Sequence, residues 1–192
     1  EQTAPRAEEV DYEGRTLPIL DVAYKGPAFD ASEKDYAALY LLGELAFGET
    51  SELYKRLVIQ EQKVQFIAPS FGKTRDPGLL HIFSMVKKAE DVSYVRELVY
   101  ETLDEYKSDP VDAEQLEEIK SRQRYGFLMD LNSPDNVAGS LARYVALTGG
   151  IDVVDQYYAT LDEITPADIQ QIASEYFVED HRNVVTLKGA QK

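Results

Sequence analysis

The spacing of apolar positions changes along the chain, and the changes mark its elements. In LPILDVAYKGP (residues 17–27), Leu20, Val22 and Tyr24 alternate with Ile19, Asp21 and Ala23, predicting a strand with one well-buried side that ends at Gly26-Pro27. The period then lengthens. Tyr36, Leu39, Tyr40, Leu42 and Leu45 predict a helix with a wide apolar face, capped by Ser32 with Asp35 at the third helical position and stopped by Gly48. Thr50 is placed to cap a short second helix in which Leu53 and Leu57 stand at i, i+4. Val64, Phe66 and Ala68 alternate with Gln65 and Ile67, so a strand follows with almost no loop. Asp76-Pro77-Gly78 predicts a turn with glycine at the positive dihedral, and Leu79 to Lys87 predicts the returning strand. Leu80, Ile82 and Val86 lie on one face of it and Leu79, Phe83 and Met85 on the other, the mark of a central strand.

From Asp91 to about Gly150 the period is helical. Asp91 caps a helix bearing Val92, Val95, Leu98, Val99, Leu103 and Tyr106, and Ser108-Asp109-Pro110 breaks it. Asp112 with Gln115 restarts a long, outwardly charged helix. Ser133-Pro134 opens another that runs to Gly149-Gly150, and Asp152 begins a short one. Thr165-Pro166-Ala167-Asp168 opens the last helix, and Asn183 to Lys188 is a closing strand. Residues 1–16 are polar, show no sustained period and read as a linker from a preceding domain, leaving residues 17–192 as one domain. Strands at both ends of a helical middle imply an α+β fold, an antiparallel or mixed sheet covered on one face by several helices.

Composition narrows the function. The 192 residues carry 35 acidic and 20 basic side chains, a net charge of −15 that repels a phosphate backbone and argues against nucleic acid as a partner. Acidity suits basic ligands, although maintenance of solubility is the favoured reading. No apolar run is long enough to span a membrane. With no cysteine there is no disulfide, thiolate metal site or cysteine nucleophile. His81 and His181 are too few and too far apart for a helical zinc pair, and Ser84, three residues from His81 on a strand, points to the opposite face. Carboxylates such as Glu114, Glu117 and Glu118 sit near helix starts, where dipole compensation explains them. The thirteen tyrosines read as rim residues between core and water. No self-contained catalytic site emerges.

VAYKGPAFD, YAALYLLGELAFGETSELYKRLV, the hairpin, LTGGIDVVDQYYATLDEITPADIQQIASEYF and RNVVTLKG, taken in this order, resemble one domain. It is the repeated domain of the zinc metallopeptidases of the pitrilysin, insulin-degrading enzyme and mitochondrial processing peptidase family. The resemblance covers roughly residues 17–189. It implies that such domains pair as a clamshell in which peptides are cleaved, with zinc held by a His-x-x-Glu-His helix and a distant Glu in the N-terminal domain of the catalytic half. This sequence has no His-x-x-Glu-His. It is therefore similar to the second, non-zinc domain: no cofactor in this chain, zinc expected in the N-terminal domain.

The family's substrate-contacting Arg and Tyr, seven residues apart, would fall near Val58 and Gln65. Neither matches, and Arg56 with Phe66 has the wrong spacing. Arg56, Val58, Gln65 and Phe66 are accordingly the residues expected to line a substrate chamber, without catalytic roles. The implied partners are the zinc-bearing domain of the same chain, a second family subunit in a homo- or heterodimer, and peptide substrate, and the implied compartment is the periplasm. Two alternatives stay open: a domain of a non-catalytic scaffold or assembly subunit, and an unrelated binding module with an acidic surface.

Overall fold

The computed structural model describes residues 2–190. Along the chain run β1 (Arg6–Tyr12), β2 (Ile19–Lys25), α1 (Lys34–Phe47), α2 (Glu52–Tyr54), β3 (Val64–Ser70), β4 (Leu79–Val86), α3 (Val92–Ser108), α4 (Ala113–Asp130), α5 (Pro134–Thr148), α6 (Val153–Asp162), α7 (Pro166–Tyr176) and β5 (Arg182–Gly189). The five strands form one mixed sheet in the order β1-β5-β2-β4-β3, antiparallel except for the β1–β5 pair. The fold is α+β, as the pattern of elements implies.

One sheet face carries the core. Leu20, Val22 and Tyr24 of β2, Leu80, Ile82 and Val86 of β4, Val64 and Ile67 of β3 and Val184 of β5 are all buried. Above them lies α1, apolar on nearly every side from Tyr36 to Phe47, and therefore the central helix, packed against β3, α4, α6 and α7. The opposite sheet face has no covering layer among the described residues. Register aligns Phe66, Met85, Ile19, Leu187 and Val10 in one row across all five strands of that face. Four of these five are half-buried and Val10 is exposed, so the row is an unpartnered apolar stripe.

Several caps form where the residues place them. Asp112, Ser133 and Thr165 accept from the amides of Gln115, Asn136 and Asp168, and Thr165 with Asp168 closes a reciprocal capping box. Gly149 stops α5 at φ 85°, a conformation that L side chains resist.

Other expectations are corrected. Residues 6–12, read as part of a linker, form β1. All seven are exposed, so an edge strand beyond the reach of the helices shows no alternation to detect. Ser32 does not cap α1, because Asp30 Oδ1 accepts from its amide and hydroxyl (2.9 and 2.6 Å), and the helix starts behind Glu33, whose side chain makes no cap bond. Ser51 replaces Thr50 as the next cap, accepting from the Tyr54 amide at 3.1 Å. Asp91 precedes α3, but its carboxylate pairs with Lys63 instead of an amide. Gly78 has no positive φ, since residues 71–78 form a broad loop tied to the one after β2 by Gly26 N–Gly78 O and Phe29 N–Thr74 O bonds of 2.9 and 2.8 Å. The expected alternation in β3 breaks at a bulge: Val64 faces Val86, Phe66 faces Met85, and Gln65 is the extra residue. Val64 and Ile67, not Val64 and Phe66, thus share the core side.

Candidate functional site

The sequence directs attention to the corner between α1 and β3. Gly48 ends α1 by donating to Glu44 O at 3.0 Å with φ −67°, so it is needed for space and not for a left-handed turn: a Cβ there would lie 2.5 Å from that same carbonyl oxygen. Past the Ser51 cap, α2 widens into one π-helical turn, Lys55–Gln60, whose closing bond runs from Glu61 N to Arg56 O at 2.8 Å. Gln62 then takes φ 53°, a left-handed position for a residue with a side chain, which turns the chain into β3 within three residues. Leu53 and Leu57 anchor the corner in the core. A π turn, a left-handed non-glycine and a bulge at Gln65 follow one another here, and each re-aims side chains.

The four expected chamber residues do not converge. Arg56 is bound by its own neighbours: its guanidinium donates to Glu61 Oε1 (2.8 Å) and Tyr94 Oη (2.7 Å), and Tyr94 donates to Glu61 in turn (2.9 Å). The Arg56 hydrogen bond holds the Glu61 carboxyl below its usual range. Val58 packs against the core, and Gln65 projects from the bulge into solvent. Phe66 lies on the open sheet face, stacked on Phe83 with centroids 5.9 Å apart. Arg56 also borders a groove of about 480 Å³ between α2, α3 and the start of α4, floored by Leu53, Leu98 and Val111 and rimmed by Glu101, Glu105 and Asp112.

The residues present do not fit a catalytic zinc. Among those described, no three His, Asp or Glu side chains gather as a metal set. His81 sits on the open face with Nδ1 2.9 Å from Asp21 Oδ2, and Ser84 points to the core and donates to Leu20 O at 3.3 Å, so the two form no dyad. No single helix among the described residues is long and apolar enough to cross a membrane. The sequence also passes over Lys73, a loop lysine without a motif that enters an aromatic cleft between α1, α4, α5 and α6.

Comparison with known proteins places this geometry. A zinc protease, PqqE, of Helicobacter pylori is 24% identical over 188 residues, 97% of this chain and 42% of that protein. The solved structure of a Helicobacter pylori protease superposes with a TM-score of 0.87 at 23% identity, over 97% of this chain and 44% of that one. A peptidase M16 inactive domain from Pseudomonas fluorescens gives a TM-score of 0.78 at 17% identity, over 99% of this chain and 44% of the other. The chain thus spans less than half the length of these relatives. Residues 1–123 match the model of the peptidase M16 inactive domain. This chain belongs to the peptidase M16 inactive domain family.

Proposed function

We propose that this chain is the non-zinc C-terminal domain of a zinc-dependent peptidase subunit, forming a wall of the chamber in which peptides are cleaved and a surface on which partner domains dock. The observation that carries the docking role is the apolar row Phe66–Met85–Ile19–Leu187–Val10 on the uncovered sheet face. The chain covers 42% of a zinc protease, and in this reading the cover and the metal come from the rest of the parent. In this reading Gln65 and Phe66 border the chamber from the edge of that face, and the cleaving groups come from the other domain.

The test is a charge placed in the row. Met85→Glu in the full-length parent is expected to reduce peptide hydrolysis, while in this chain alone it leaves the unfolding temperature within a few degrees. Unchanged hydrolysis would remove the docking role from this face. Arg56 bound to Glu61 and Tyr94, and Val58 and Gln65 at the family's Arg and Tyr positions, favour a second reading: a domain of a non-catalytic scaffold subunit. A full-length parent without chelator-sensitive peptidase activity selects the second reading.

A further inference from the structure

Lys73 ends inside a ring of aromatic side chains. Its ammonium lies 4.8 Å from the Tyr157 ring centre, 5.5 Å from those of Tyr36, Tyr40 and Tyr144, and 5.9 Å from that of Phe29. It forms no ion pair or hydrogen bond with a described residue, and burial, then the charge of Arg143, lowers its pKa to about 8. Arg143 lies on the same cleft of about 550 Å³ and likewise has no carboxylate partner among the described residues. Asp130, exposed, is the only carboxylate among the described lining residues. Two cations thus converge on one cavity and neither forms an ion pair with a described residue, in a chain with an excess of 15 acidic charges.

The surrounding phenols do not supply the missing charge. Burial pushes those of Tyr40, Tyr144, Tyr157 and Tyr158 above their ordinary values, so they stay neutral and able to donate hydrogen bonds. The ring faces attract the ammonium but leave its donors unused. Gly126 and Gly139 border open space along this lining, where a Cβ at either would meet nothing within 4 Å.

We propose that this cleft binds a carboxylate carried on a flat aromatic body, with the anion between Lys73 and Arg143 and the ring among the tyrosines. An arginine fork and a lysine point charge satisfy a carboxylate. A single negative charge suits apolar walls better than a phosphate, whose second charge raises the desolvation cost. The carboxylate is that of a free aromatic acid or of a peptide ending in an aromatic residue. The cleft requires neither zinc nor a partner domain, so it stands apart from the proposed role in a peptidase.

Calorimetric titration of this chain tests it, with 3-phenylpropionate, its amide and inorganic phosphate as probes. The acid is expected to bind at one site, with the amide and phosphate at least about tenfold weaker. Arg143→Gln, at an exposed position, and Lys73→Met should each weaken the acid by about tenfold or more. Gly126→Leu should block it without changing charge. A peptide ending in phenylalanine that binds more tightly than the free acid, and loses this on amidation, identifies a chain terminus as the source; the reverse order identifies the free acid. No binding at millimolar acid, equal binding of acid and amide, or indifference to both Arg143→Gln and Lys73→Met overturns the proposal.

Discussion

Replacing Lys73 by methionine should stabilise the protein at neutral pH. The pKa of the lysine falls from 10.5 to about 8, so the fold disfavours its charged form. That lowering corresponds to about 3 kcal/mol, and attraction to the ring faces offsets about 1, leaving a net cost of about 2 kcal/mol. Below pH 8 the lysine is protonated in both states and the cost is fully felt. From about pH 8 toward about pH 10 the unfolded chain holds a proton that the folded chain has released, so stability rises with pH. Above about pH 10 the slope reverses. Burial holds Tyr24 and Tyr106 up to about 12 and Tyr36, Tyr157 and Tyr158 higher still, so there the folded chain keeps protons that the unfolded chain loses. Among the described residues, the other charged groups on the cleft are Arg143 and Asp130. Urea unfolding followed by circular dichroism should show the wild type gaining about 1–2 kcal/mol between neutral pH and about pH 9.5. Lys73→Met should start about 2 kcal/mol higher and stay flat over that interval. A variant less stable than wild type at neutral pH, or one with the same slope, would refute the reasoning.

Two glycines should respond oppositely to alanine. Gly48→Ala drives a Cβ against the Glu44 carbonyl and should cost about 2 kcal/mol, whereas Gly126→Ala, inside α4 with open space around it, should gain about 0.5–1 kcal/mol; calorimetric unfolding temperatures moving in the same direction would contradict the steric account. Thr165→Ala removes half of a capping box and should cost about 1 kcal/mol, with serine restoring most of it in urea titration. Leu57→Ala, at a fully buried position, should cost about 2–5 kcal/mol, and a loss well below that in the same titration would mean that the corner is not a packed anchor.

The sequence was most legible where a local pattern and its tertiary use coincide. Thr165-Pro166 with Asp168, Ser133-Pro134 and Gly149 define their helix ends through bonds within a few residues, and these ends form as read. The burial of Leu20, Val22 and Tyr24 follows from alternation along a strand with one covered face. Reading failed where a neighbour competes for the same side chain, as Asp30 does for Ser32 and Lys63 for Asp91. It failed at β1, whose uniform exposure erases periodicity, and at Gln65, where a bulge shifts the phase of β3 without a glycine or proline to announce it. The Lys73 cleft had no sequence signal, because Phe29, Tyr36, Tyr40, Tyr144 and Tyr157 come from segments far apart in the chain and meet only after folding.

The peptidase reading is tested most directly by measuring zinc content and peptide hydrolysis on this chain and on its full-length parent in parallel. This chain alone should retain no stoichiometric zinc and cleave no peptide, while the parent should hold zinc and lose hydrolysis to a chelator and regain it with zinc. Zinc-dependent cleavage by this chain alone, or a parent without metal-dependent cleavage, would contradict its assignment as the non-zinc domain of a zinc peptidase.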